Sequence, residues 1–182
     1  MTTALLVIDV QESFHQREDW SRISAPDIAE RVGRLVEHTR AHDGEVVWIL
    51  HVQPGDGTEF DPDRGLVRVL EGLEPRDDEH LVHKTSHNAF TTTNLAQHLT
   101  SRGVTEVVVT GIRTEQCCET TARVASDLGY SVRFVIDATA THPLELWDGS
   151  GTMSADDVAA RTASALHGRF AEVVTVEQVL AS

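Results

Sequence analysis

Three residues in this sequence could together attack a carbonyl carbon: Cys117 carries a thiol, Asp9 a carboxylate and Lys84 an ammonium group. A cysteine attacks as its thiolate, so it needs a base or a nearby cation. Asp9 closes an otherwise apolar run, Leu5-Leu-Val-Ile-Asp9, where an unpaired buried carboxylate would be costly. Lys84 is the single lysine among fifteen cationic residues, the other fourteen being arginines. An ammonium is a compact point charge, whereas guanidinium is a broad planar fork. A lysine beside both a carboxylate and a thiol would favour the thiolate and hold the carboxylate in place. Each residue also has a plain reading: an ordinary cation, a solvent-facing strand end, and two inert thiols at the neighbouring Cys117 and Cys118. A disulfide between such neighbours would be strained.

Those side chains need elements to position them, and hydrophobic periodicity supplies candidates. Ala4 to Val10 is a short continuous apolar run, as expected of a strand buried on both faces. Ile28, Val32, Leu35 and Val36 fall at helical spacing, with Pro26 before them and Gly44 after. Val46 to Val52 reads as a second strand and 54–65, rich in Gly, Pro and Asp, as a loop. Leu66 to Leu73 reads as one or two helical turns, and His80 to Lys84 as a weak strand. A short helix capped by Thr93 runs through Leu99 and stops at Gly103. Val104 to Thr110 is a strong strand, followed by a turn at Gly111 to Arg113. A helix follows, capped by Thr114 and ending at Leu128 before Gly129. Ser131 to Asp137 is a further strand, and Ala138 to Gly151 a loop. Ser154 with Asp157 opens a helix ending at Gly168, and Ala171 to Val176 is the last strand.

Alternation of strands and helices predicts an α/β fold with a mainly parallel sheet covered on both faces. Ligands in such folds bind beyond the carboxyl ends of the strands, near the switch point. Asp9, Lys84 and Cys117 all fall on that rim. With Thr114 as N-cap, Cys117 lies in the first helical turn, where the dipole should lower the thiol pKa and free N–H groups could receive an oxyanion.

The 182 residues suit one domain, and 40% are hydrophobic, enough for a packed core. A net charge of −14 disfavours nucleic acid and anionic membrane as partners. No apolar run is long enough to span a bilayer. The opening lacks a basic n-region, so no signal peptide is expected and the expected location is cytoplasmic.

Read together, the segments resemble the isochorismatase-like hydrolases, also called the cysteine hydrolase family. Leu6-Val-Ile-Asp-Val-Gln11 with Phe14 resembles the family's opening strand, and Lys84-Thr-Ser-His-Asn-Ala-Phe90 its lysine segment. Val107-Val-Val-Thr-Gly-Ile-Arg-Thr-Glu-Gln-Cys117 resembles its nucleophile segment, and Asp137-Ala-Thr-Ala-Thr141 the segment after strand five. The resemblance implies a single Rossmann-like three-layer domain over 1–182 with a six-stranded parallel sheet. It implies Asp9, Lys84 and Cys117 as catalytic residues and a cis peptide between Ile112 and Arg113. It also implies an oxyanion hole from the backbone N–H groups of Arg113 and Cys117, and a homo-oligomer, dimer or tetramer.

Within the family, nicotinamidase-type members bind a metal through an Asp-x-His pair after the second strand. Here that place reads His51-Val-Gln53. His80, His83 and His87 have metal-like spacing but no accompanying carboxylate pattern. The expectation is therefore no metal and no cofactor. True isochorismatases cleave a vinyl ether without needing the cysteine, so Cys117 favours cleavage of an amide-like bond in a small molecule through a thioester. An ether hydrolase and a catalytically silent binding protein are the rivals. Phe14, Phe90 and Trp147 are candidate substrate contacts, with Trp20 and Phe60 as further candidate walls.

Overall fold

A computed structural model describes residues 2–182. The apolar runs form strands because each can bury both faces. β1 (Thr2–Ile8), β2 (Glu45–His51), β3 (His80–Lys84), β4 (Val104–Ile112), β5 (Ser131–Ala140) and β8 (Glu172–Val174) make one sheet in the order β3-β2-β1-β4-β5-β8. Every neighbouring pair in it is parallel. β6 (Leu144–Glu145) and β7 (Thr152–Met153) form a separate small antiparallel hairpin.

Side chains alternate between the two faces. Leu5, Val7, Val46 and Trp48 pack with Ile28, Val32, Leu35 and Val36 of α2 (Ile28–Ala41) and with Val176 and Val179 of α6 (Val176–Leu180). Leu6, Ile8, Val47 and Ile49 pack on the other face. Their partners come from α3 (Leu95–Ser101), α4 (Glu119–Asp127) and α5 (Ala155–Leu166). Helices thus flank a six-stranded parallel sheet. The order places the switch point between β1 and β4: the chain runs outward through β2 and β3, then crosses to the far side of β1.

Several boundaries differ from the sequence reading. Leu66 to Leu73 is not helical. Its backbone is held by the chain after β1: Glu12 N–H donates to Arg68 O, Leu70 N–H donates to Val10 O, and Gln11 bridges Val69. Those tertiary hydrogen bonds outweigh a weak local helical pattern. α1 (Glu12–His15) is a single turn within the same segment. β5 continues to Ala140, because Thr139 and Ala140 pair with Gly111 and Ile112 after a register shift. The stretch expected to be a loop after Asp137 therefore begins as strand. Among the described residues, no helix is long and apolar enough to cross a membrane.

Candidate active site

β1 ends at Ile8, and Asp9 follows with a left-handed φ of 55°. Asp tolerates that region better than most residues. The Asp9 N–H donates to Ile49 O, fixing the carboxylate over the sheet end. Lys84 is the last residue of β3, two strands away, or about 10 Å at ordinary strand spacing. Its long stem reaches back across the end of β2. Cys117 follows β4 in the turn Thr114–Cys118, which has π-helical geometry.

The three side chains meet. Lys84 Nζ donates to Asp9 Oδ2 at 2.8 Å, to Cys117 Sγ at 3.3 Å and to Ser86 O at 3.1 Å. Asp9 and Lys84 are fully buried, and Cys117 is 6% exposed. Among the described residues, Asp9 Oδ1 has no hydrogen-bond partner. Burial raises the Asp9 pKa above its ordinary value, against the opposing pull of Lys84 and Cys117. For Lys84, burial works to lower the pKa, but Asp9 and Cys117 beside it leave it raised. The Cys117 thiol is pushed up to about 12, by burial first and by the Asp9 charge second. Lowering by a helix dipole, expected from the sequence, is thus reversed. Lys84 supplies one positive charge for two potential anions, so the resting arrangement is an ion pair beside a neutral thiol.

Thr114 is not the cap expected. The N-cap is Arg113, without a side-chain cap, and Thr114 Oγ1 instead donates to Thr139 Oγ1 at 2.9 Å. This bond ties the Cys117 turn to β5, as does the hydrogen bond from Thr141 Oγ1 to Glu115. Glu119, next in α4, is held by Arg161 at 2.6 Å, Thr162 at 3.1 Å and Arg123 at 2.8 Å, which locks the turn to α5. The Ile112–Arg113 peptide is cis. The amides of Gln116 and Cys118 both donate to Arg113 O.

A cleft of about 240 Å³ opens over Asp9 and Cys117. Phe14 and Phe60 form one wall, edge to face with centroids 4.9 Å apart, and His51 packs on Phe60 at 5.6 Å. Arg17, Gln53, His87, Arg113 and Gln116 complete the lining. Gln11 positions His51: its amide NH₂ donates to His51 O at 3.0 Å, and its Oε1 accepts from His51 N–H at 2.7 Å. Burial, and then the Lys84 charge, push the His51 pKa down to about 4, so its ring is neutral at ordinary pH. A larger groove of about 700 Å³ runs beside α2, but it holds no nucleophile.

Of the expected substrate contacts, only Phe14 lines this cleft, along with Phe60. Phe90 instead stacks on Tyr130 at 6.1 Å within the helix-covered face. Trp147 is 97% exposed, in the loop joining β6 to β7, a hairpin separate from the main sheet. Trp20 packs on His15. His80 stacks on His98 at 3.8 Å, while His83 and His87 are exposed. Among the described residues, no three metal-binding side chains are grouped to hold an ion. The sequence reading did not single out Arg17, Gln53, His87 or Gln116 as substrate contacts, nor His51 outside the metal comparison. His51 ends β2, Gln53, His87 and Gln116 closely follow strands, and Arg17 follows α1, so the rim rule applied to every polar residue there would have found all but Arg17.

An isochorismatase domain model matches residues 3–178. Nicotinamidase 3 of Arabidopsis thaliana is 34% identical over 81% of this chain and 77% of its own. An isochorismatase-family structure from Chromobacterium violaceum superposes with a TM-score of 0.92 at 28% identity, covering 99% of this chain and 92% of that one. A cysteine hydrolase from Pseudomonas syringae pv. phaseolicola superposes with a TM-score of 0.85 at 29% identity, covering 98% and 91%.

Proposed function

The chain belongs to the isochorismatase family of hydrolases, and from that premise we propose that it cleaves an amide-like C–N bond of a small molecule through a thioester on Cys117. The observation that carries this reading is the buried contact of Lys84 with both Asp9 and Cys117. A nicotinamidase among the similar proteins supports the amide bond class, and a cysteine hydrolase supports a cysteine-dependent reaction.

In this mechanism the thiol proton passes to Asp9 as sulfur attacks the carbonyl carbon. The raised Asp9 pKa makes it a better base for that transfer than an ordinary carboxylate. The free Asp9 Oδ1 is the oxygen available to accept the proton. Lys84 stays protonated and balances whichever neighbour carries the negative charge, so the proton moves without adding net charge to a buried site. The carbonyl electrons move to oxygen, and the Arg113 and Cys117 amides are assigned to receive that oxyanion. The Gln116 and Cys118 amides are already committed to Arg113 O. On collapse the amine leaves with the proton from Asp9. Water then attacks the thioester, Asp9 takes its proton, and the thiol returns as the acid is released. Each step uses this chain's own groups, without metal or cofactor.

Ammonia or amine release from a panel of small amides and ureas tests this reading, with intact mass for the acyl adduct. Wild type is expected to show turnover and a substrate-dependent mass gain at Cys117. Cys117→Ala is expected to lose at least about 1,000-fold, as removal of a nucleophile does. Turnover that survives in Cys117→Ala would point instead to ether-type hydrolysis using Asp9 and Lys84 alone.

A further inference from the structure

The cleft carries a local charge opposite to that of the whole chain. The protein has a net charge of −14, yet two of its arginines, Arg17 and Arg113, line the opening over Cys117. Both lean on the same carboxylate. Arg17 Nε donates to Asp19 Oδ1 at 3.2 Å, and an Arg113 terminal nitrogen donates to Asp19 Oδ2 at 3.3 Å. Each guanidinium therefore commits one nitrogen to Asp19, and no further hydrogen bond from either is formed among the described residues. Partial burial works to raise the Asp19 pKa, but His142, Arg17 and Arg113 hold it below the ordinary carboxylate value. Asp19 is accordingly an anion shared by two cations.

Among the residues lining the cleft, Asp9 is the only carboxylate, while Asp56 acts on His51 from outside the lining. Asp9 and Lys84 neutralise each other in one buried pair. His51 is neutral, because burial and Lys84 push its pKa down to about 4. Arginine is charged at all accessible pH and offers a planar fork that matches a carboxylate. The count over Arg17, Arg113 and Asp19 is one positive charge in excess beside the nucleophile.

We infer that the paired guanidinium groups of Arg17 and Arg113, yoked by Asp19, form an anion subsite, so that the substrate is a small amide bearing a carboxylate or similar anionic group. This rests on Cys117 being the nucleophile, and it adds the substrate's charge class. Asp19 holds both forks without cancelling them, and both arginines border the opening. A neutral amide lacks the group they would hold, and a cationic amide would be repelled.

Two alkylating probes of nearly equal size test this without knowledge of the substrate. Iodoacetate is anionic and iodoacetamide neutral. Each alkylates a thiol by forming an S–C bond while iodide leaves with the C–I electrons and the thiol proton passes to base. Their rate ratio at Cys117, iodoacetate over iodoacetamide, is measured by peptide mass spectrometry and referred to the ratio for the neutral free thiol N-acetylcysteamine. The ratio is expected to exceed that reference by about 10-fold, the effect of one excess unit charge at short range in a partly shielded site. Arg17→Gln and Arg113→Gln should each bring it back toward the reference. Asp19→Asn should raise it, which a purely structural ion pair would not do. A wild-type ratio at the reference value, unmoved by Arg17→Gln or Asp19→Asn, would overturn the anion subsite and leave the cysteine hydrolase reading intact. Cys117 inert to both probes across the pH range would overturn the nucleophile assignment, and the subsite with it.

Discussion

At the scale of single residues, Lys84 balances charge between two acids. Removing it leaves Asp9 buried without a counter-charge. Lys84→Met is therefore expected to destabilise the fold at neutral pH by about 3–5 kcal/mol in urea unfolding. The deficit should shrink in acid as Asp9 takes up a proton, and Asp9→Asn on the same background should recover much of it. An unchanged midpoint in Lys84→Met would mean that the pair contributes little. The thiol gives a second test. The folded chain holds the Cys117 proton up to about 12, whereas the ordinary value is 9.0. Between those values the native state binds more protons than the unfolded one, so stability falls as pH rises from about 9 to about 12. Cys117→Ala should lessen that alkaline decline, measured by denaturant unfolding across the window, with Cys118 and Lys84, both also raised, contributing the rest. The same raised value means that resting Cys117 should alkylate slowly at neutral pH and ever faster with alkali.

At the scale of elements, the site depends on how closely β1 and β4 approach at their carboxyl ends. Gly111 pairs directly with Ile8 and has a φ of 130°, and a Cβ there would collide with the Ile8 carbonyl. Any side chain would push apart the two strands that deliver Asp9 and Cys117. Gly111→Ala is expected to cost more than about 4 kcal/mol or to abolish folding. Gly129→Ala is the control: its φ of 93° is also left-handed but its surroundings are open, so its cost should stay near about 1 kcal/mol. Equal midpoints for the two variants would show that the close strand contact is not limiting. The Glu119 clamp plays a similar part for the turn that carries Cys117, joining α4 to α5 through Arg161 and Thr162.

At the scale of the whole molecule, the sheet order gathers its chemistry at one crevice and leaves the histidines dispersed. The place of an Asp-x-His pair is taken by His51-Val-Gln53, and among the described residues no three metal-binding side chains are grouped. Exhaustive chelation is expected to leave turnover within about twofold of the untreated enzyme, in contrast to the roughly 100-fold losses typical when a metal site is disturbed. Loss of activity in chelator, restored by a divalent ion, would overturn the metal-independent mechanism.

The sequence by itself determined the layered fold and the ends of the strands that present Asp9 and Lys84. Continuous apolar runs can satisfy only strands covered on both faces, and their polar last residues mark the rim. Asp9, Lys84 and Cys117 were legible for that reason, and because one lysine stands out among fourteen arginines. Tertiary structure alone decided how the site is charged and walled. The direction of the Cys117 pKa turned on burial and on Asp9, two features that a local helix-terminus argument does not contain. Leu66 to Leu73 took its shape from hydrogen bonds to the chain after β1, which local periodicity does not encode. Trp147 stands out on a hairpin and Phe90 on Tyr130, whereas Arg17 and Arg113 converge on Asp19. Which side chains face a cleft depends on where loops from separate strands fold back, and sequence spacing carries no record of that direction.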